Sequence, residues 1–300
     1  MSTGAEWANI NGTITPLSEA VIPAADHGFL YGDSVYETIR TYGRRAFLVP
    51  EHLERLRRSA TAIRLALPWS AGHIAGEVAR TLMQAPSRGE YALRVVATRG
   101  PGPLGYDPAL CPQPGLMILM WPLVEPTPDQ RAQGIPAALV TIRRNPIAAQ
   151  DPRIKSSCLL NCVLAAQEAA LSGALEGLML NMDGHVAEGT STNIFFVSRS
   201  VLRTPALSCG ILGGVTRDLV IELARQDEIP CEEGAWPGEE LATASEIFVT
   251  STTREILAVG TLDGRPVGRA GRGPITTRLH ELFRQRVETM MDETPWKPVI

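Results

Sequence analysis

Lysine is nearly missing from this chain of 300 residues. Of 28 basic side chains only Lys155 and Lys297 are lysine, which leaves 26 arginines. A primary amine forms a Schiff base and a guanidinium does not. The one internal lysine therefore invites a chemical role, although a plain bias toward arginine explains the count equally well. Long apolar runs are missing too, so no segment is expected to span a bilayer. The start, Met1 to Trp7, lacks the basic and apolar regions of a secretion leader, so a cytoplasmic protein is expected. With a net charge of −4 there is no basic excess, and neither nucleic acid nor an anionic membrane is an expected partner. Cysteine is sparse and odd in number: Cys111, Cys158, Cys162, Cys209 and Cys231 form no CxxC pair. Cys158 and Cys162 are spaced to share one helix face, but no histidine completes a metal site. Reduced thiols and no metal are expected.

Turn formers are plentiful, with 27 glycines and 23 prolines. Three prolines fall within seven residues at 122–128, after the apolar run Leu116–Met120. Such a stretch continues neither a strand nor a helix. It predicts a small N-terminal α/β domain over 1–120, a linker over 121–132 and a larger C-terminal domain over 133–300. In the first, Trp7–Pro16 reads as a hairpin turning at Asn11-Gly12. Ser34–Tyr42, Tyr91–Thr98 and Gly115–Met120 read as strands, and His52–Leu65 and Ala71–Met83 as helices. In the second, Ser157–Leu171 reads as a helix with Leu160, Leu164 and Ala165 inward. Asp183-Gly184 marks a hairpin, Asn193–Ser198 and Glu246–Thr250 are strands, Thr216–Gln226 is a helix, and Gly273–Thr289 holds the last one. The class is α/β, of the α+β kind.

Candidate chemistry lies at five places. Lys155 is the amine, read here at the mouth of a helix where free N–H groups favour anions. Glu188, in His185-Val-Ala-Glu-Gly-Thr-Ser-Thr-Asn193, is either a surface strand carboxylate or the partner of a protonated ring nitrogen. Gly213-Gly214 before Val215 and Thr216 is either a tight turn or a backbone cradle for a phosphate. Thr250–Thr253 offers hydroxyls at a turn. Arg55, on the polar side of its helix, is an exposed charge or a bidentate phosphate donor. Together they supply what pyridoxal phosphate needs: an amine for the aldehyde, an acid for the ring nitrogen and donors for the phosphate.

On those residues the chain resembles the class IV, fold-type IV aminotransferases, a family that includes branched-chain and D-amino-acid aminotransferases and aminodeoxychorismate lyase. The matching segments, in family order, are HGFLYGDSVYETIR (27–40), HLERL (52–56), RVVATRGPGPLGYDP (94–108), RIKSSCLLN (153–161), GHVAEGTSTNIF (184–195), GILGGVTRD (210–218) and EIFVTSTTREI (246–256). The resemblance implies a two-domain fold with pyridoxal 5′-phosphate held between the domains, and a homodimer in which a loop of one subunit covers the other's site. It makes Lys155 the Schiff-base lysine and Glu188 the partner of the ring nitrogen. It assigns the phosphate to Arg55, the N–H groups of Val215 and Thr216, and Thr252, with Leu212 also at the cofactor.

For the substrate the same resemblance is divided. Arg94 and the 28–33 and 98–108 segments look like branched-chain enzymes, with Phe29, Tyr31, Tyr36, Arg94, Thr253 and Arg254 as pocket candidates. Leu159, Glu37-Thr-Ile-Arg40 and Ser251-Thr-Thr253 look more like D-amino-acid enzymes. Yet the Arg-x-His motif with which those bind a carboxylate is absent from 99–108. Arg254 stands where a small residue is usual, as a second carboxylate anchor or a surface charge. The expected activity is ping-pong transamination between a branched-chain L-amino acid and 2-oxoglutarate. A D-amino-acid or R-amine transaminase is the second reading and a carbon–carbon lyase of the aminodeoxychorismate type the third. A non-catalytic, cofactor-loaded scaffold is the reading from another class.

Overall fold

Asn11 and Gly12 both lie at positive φ, 50° and 87°, and turn the chain into a tight hairpin of β1 (Trp7–Ile10) against β2 (Thr13–Pro16). There follow α1 (His27–Tyr31), β3 (Ser34–Tyr42), β4 (Arg45–Ala46), α2 (Val49–Ala62), α3 (Ala71–Leu82), β5 (Tyr91–Thr98) and β6 (Gly115–Pro122). The strands form an antiparallel sheet in the order β2-β1-β6-β5-β3-β4. This is the computed structural model of the chain, and it describes residues 6–86, 89–268 and 271–293.

Two compact units divide the chain. Of the described residues, the first takes in those up to Val124, Ile154–Cys158 and those from Met290 to Glu293; the second takes in those of Glu125–Arg153 and Leu159–Thr289. In the first unit the odd positions of β3, Val35 and Ile39, join Leu53 and Leu56 of α2 and Ile74 and Val78 of α3 in one core. Pro50 in the first turn of α2 starts that helix at no cost in hydrogen bonds. β4 pairs only with the far end of β3. The near end takes up Ile154–Ser157 instead, through a bridge of Val35 with Ser156 and bonds from Tyr36 N to Lys155 O and Ser157 N to Ser34 O.

That pairing explains the largest departure from the sequence reading. Helix α5 (Leu160–Leu171) begins three residues later than expected, because the backbone groups of 155–157 are spent on β3. Lys155 is therefore not at the mouth of a helix, and Cys158 shares no helix face with Cys162. It also groups 154–158 with the first unit, where the sequence reading ran 133–300 as one domain. The expected linker over 121–132 holds the end of β6 and most of α4 (Pro128–Gln133), which opens with a capping box between Thr127 and Gln130.

The second unit continues with β7 (Ile135–Leu139), α5, β8 (Glu176–Leu180), β9 (Val186–Gly189), β10 (Asn193–Ser198), β11 (Val201–Pro205), α6 (Val215–Gln226), β12 (Cys231–Gly234), β13 (Glu246–Ser251), β14 (Glu255–Leu262), β15 (Arg265–Pro266) and α7 (Pro274–Glu293). Its mixed sheet runs β12-β11-β10-β13-β14-β7-β8-β9, with β15 on β14. Ala165 of α5 is buried as expected, but Leu160 and Leu164 are 70% and 44% exposed. The small residues Ala165 and Ala169 face Gly177 of β8, where a side chain on Gly177 would come within 3.0 Å of the Ala165 carbonyl. Close approach of helix and strand selects alanine there and turns the leucines outward. Among the described residues no helix is long and apolar enough to cross a membrane.

Candidate active site

In the first unit the site grows from one stripe of α2. His52, Arg55 and Ser59 are spaced three and four apart, hence on one face, and all three are buried. Opposite them the apolar face of β3 is interrupted by Glu37, which is fully buried. Arg55 donates to both Glu37 oxygens, from Nε at 2.6 Å and from Nη2 at 2.7 Å, and His52 Nδ1 lies 2.7 Å from Glu37 Oε2. Burial alone would push the Glu37 carboxyl up, but the Arg55 guanidinium and the His52 ring overcome it and hold it at about 2. Burial keeps His52 below the usual imidazole value despite Glu37. A neutral ring beside an ionised carboxylate donates from Nδ1. Arg55 is thus not on an exposed polar side; tertiary contact buries it.

Ser59 Oγ, on the same stripe, accepts the backbone N–H of Lys155 at 3.1 Å. Lys155 Nζ lies 4.6 Å from the centroid of the Tyr36 ring. The guanidinium carbon of Arg94 lies 4.5 Å from that same centroid. Register explains the second contact: Tyr36 pairs with Val96, so Arg94 is its diagonal neighbour on the same sheet face. Arg94 Nε is buried and has no hydrogen-bond partner among the described residues. The amine and a donor-bearing cation therefore share one aromatic side chain. Of the other pocket candidates, Tyr31 accepts the Gly105 N–H at 3.3 Å and packs edge-on against Tyr106, whereas Phe29 is 67% exposed. The one arginine of the 99–108 loop, Arg99, is forked on Asp33 at 2.9 and 3.0 Å and also donates to two backbone carbonyls. It is committed to the fold.

In the second unit Glu188 sits on β9 and is buried, not a surface carboxylate. Its Oε1 accepts Arg144 Nε at 2.7 Å, and its Oε2 accepts the Leu212 N–H at 2.9 Å and Asn193 Nδ2 at 3.3 Å. Asn193 also donates to the Leu212 carbonyl, which ties the glycine loop to β10. Gly214 has an ordinary φ but no room: a Cβ there would stand 2.0 Å from Asn193 Oδ1. No side chain caps α6, so the start of the helix at Val215 and Thr216 keeps its backbone donors for another partner. Thr252 and Thr253 form the turn between β13 and β14. Arg254, the third turn residue, donates to the fully buried Glu176 at 2.5 Å, and Glu176 accepts the Thr190 N–H at 2.8 Å. The turn is thereby tied to the strand end two residues beyond Glu188.

These residues fit pyridoxal phosphate in kind. The first unit has the amine and a buried arginine, and the second has an oriented carboxylate and an uncapped helix start cleared by a glycine. Sequence reading missed Glu37, His52, Ser59, Arg144 and Glu176. Glu37 and His52 lie inside the segments that carry the family resemblance, and the spacing of His52, Arg55 and Ser59 was the available signal. Nothing in Arg143-Arg144 separates the exposed arginine from the largely enclosed one.

The family model described as amino-transferase class IV matches residues 34–262. A Methanocaldococcus jannaschii protein named for branched-chain-amino-acid aminotransferase activity is 38% identical over 275 residues, 92% of this chain and 94% of that one. The D-alanine aminotransferase of Bacillus licheniformis is 31% identical over 282 residues, 92% of this chain and 95% of its own. The crystal structure of the branched-chain aminotransferase of Thermoproteus uzoniensis with norvaline matches with a TM-score of 0.87 at 32% identity and covers 96% of both chains.

Proposed function

The chain belongs to the class IV aminotransferases, and from that premise we propose that it moves the amino group of a branched-chain L-amino acid to 2-oxoglutarate in a ping-pong exchange. It is a transaminase with pyridoxal 5′-phosphate as its cofactor, which supplies, when bound, the electron sink for a carbanion at the substrate Cα. Lys155 Nζ would hold the cofactor and, once displaced by the substrate amine, would take the proton from the substrate Cα as general base and hand it on to the cofactor as general acid. Glu188 holds the ring nitrogen, with Leu212 beside it. Arg55, the N–H groups of Val215 and Thr216, and Thr252 hold the phosphate.

The observation that carries the substrate reading is Arg94. Its buried Nε lacks a partner among the described residues and it shares the Tyr36 ring with Lys155 Nζ. An unpaired donor on a cation near the amine suits the carboxylate of an α-amino acid. The commitment of Arg99 to Asp33 removes the loop arginine on which a D-amino-acid reading would draw. A homodimer is supported by apolar side chains left in water: Leu104 and Tyr106 are 80% and 88% exposed, and Leu160 is outward on α5. The absence of a disulfide among the five cysteines supports a cytoplasmic location.

The test is a half-reaction. The loaded enzyme, without any oxo acid, is mixed separately with L-leucine and D-alanine, and the absorbance of the lysine-bound cofactor is followed. Bleaching by L-leucine and not by D-alanine is expected; bleaching by D-alanine alone overturns the substrate reading in favour of a D-amino-acid enzyme. Arg94→Gln should raise KM for L-leucine by about 10- to 100-fold, the worth of a hydrogen bond to a charged group. An unchanged KM removes Arg94 from the pocket.

A further inference from the structure

Three donors converge on Glu188 and they are unequal. The Leu212 N–H and the Asn193 carboxamide are neutral and share Oε2. Arg144 is charged and takes Oε1 from Nε at 2.7 Å. Both side chains of this pair are largely buried, 12% and 7% exposed, so solvent screens them little. Arg144 is itself fixed. Its backbone N–H donates to the Leu180 carbonyl on β8, and its Nη1 donates to Asn161 Oδ1 on α5. Asn161 in turn donates to the Arg143 carbonyl at 2.8 Å. The guanidinium is therefore built into the unit between a strand and a helix, aimed at one oxygen of one carboxylate.

We propose that Arg144 is a positioning residue that holds Glu188 in a single orientation as a pure acceptor and thereby keeps the shared proton on the cofactor ring nitrogen. A carboxylate facing a ring N–H can accept that hydrogen bond or take the proton itself. With Arg144 donating to Oε1 and two further donors on Oε2, the carboxylate meets the ring as an acceptor, which is the first outcome. Arg144 also pins the plane of the carboxylate, which the two neutral donors on Oε2 alone leave free to swing about that oxygen. The orientation matters because a protonated ring is the stronger electron sink. No bond is made or broken by Arg144, which acts through Glu188 alone. The proposal holds only if Glu188 is the ring nitrogen's partner.

The experiment compares two ligands on the cofactor-stripped protein: pyridoxal phosphate and its carbocyclic analogue with C–H in place of the ring nitrogen. The ratio of their dissociation constants isolates the ring-nitrogen contact from the phosphate and the lysine. Wild type should favour pyridoxal phosphate, and Glu188→Gln should lose most of that preference. Arg144→Gln should lower the ratio by about tenfold, the gap between a charge-assisted and a neutral hydrogen bond. The 15N resonance of ring-labelled cofactor in that variant should move from the protonated toward the unprotonated position. Arg144→Lys should recover part of the ratio by restoring charge without the fork. If Arg144→Gln does not fold, Arg144→Met keeps the packed stem and carries the same expectation. A wild-type ratio and resonance in the Arg144 variants, with Glu188→Gln altered, overturns the proposal and leaves Glu188 in its role. A wild-type ratio in Glu188→Gln overturns both.

Discussion

Lys155→Ala is expected to lose at least about 10⁴-fold in transamination rate, because in its proposed role Lys155 is both the nucleophile and the group that moves the Cα proton. It should lose almost nothing in stability. The backbone of Lys155 is held by Ser59 Oγ and by the Tyr36 N–H, and both bonds survive truncation of the side chain. What the side chain adds to the fold is its approach to the Tyr36 ring at 4.6 Å, worth about 0.5–1 kcal/mol at a partly exposed position. Lys155→Arg sharpens the result. It keeps the charge and the stacking on Tyr36 but forms no Schiff base, so it should be as inactive as alanine while unfolding with wild-type stability. Turnover is followed by oxo-acid formation without added amines, and unfolding by urea titration of the cofactor-free protein. Arginine retaining a tenth of the activity would show that charge at this position, not the amine, is what the reaction uses.

That Lys155 was legible follows from scarcity: one internal lysine among many arginines is visible without any structure. Hairpins at Asn11-Gly12 and Asp183-Gly184 were legible because their turns depend on local φ alone. The strands Ser34–Tyr42 and Tyr91–Thr98 were legible because β-branched and aromatic residues mark them locally. The start of α5 was not. Ser157–Leu171 is helix-compatible throughout, and only pairing of Lys155–Ser157 with a strand more than a hundred residues earlier shortens it. The same long-range logic hid the polar partners. Arg55 and Arg144 look like surface arginines in sequence, and Arg55 becomes buried and Arg144 largely buried, each against one carboxylate brought from elsewhere in its own unit, Glu37 and Glu188. A buried ion pair leaves no local periodicity, since each member interrupts an apolar face only where the other does. The motifs that make up the proposed site were thus readable locally, whereas the residues that orient them were readable only after folding.

Glu37→Gln should be the most destabilising conservative change in the first unit. Glu37 is fully enclosed, and its two oxygens take the Arg55 fork and the His52 N–H. Removing its charge leaves Arg55 buried without its counter-ion, a loss of roughly 3–5 kcal/mol for breaking one side of a buried pair. The same carboxylate gives the protein an acid-sensitive window. Its pKa in the fold is about 2 against an ordinary value of 4.5, so the folded state binds this proton less readily than the unfolded one. The stability it contributes is complete above about 4.5 and is lost as pH falls through 2. His52, also held below its ordinary value of 6.5, adds a loss in the same direction that begins below that pH. Wild type should therefore weaken on acidification from pH 7 to pH 3, and Glu37→Gln, already weakened at pH 7, should lose less over the same interval. Urea midpoints at the two pH values, on holoenzyme and on cofactor-free protein, measure both effects. Equal acid sensitivity in the variant and wild type would show that carboxylates other than Glu37 govern the transition. Because Glu37 holds Arg55, the proposed phosphate donor, the variant should also bind pyridoxal phosphate more weakly. A phosphate-free pyridoxal should be affected far less, which separates a displaced arginine from a general loosening of the fold.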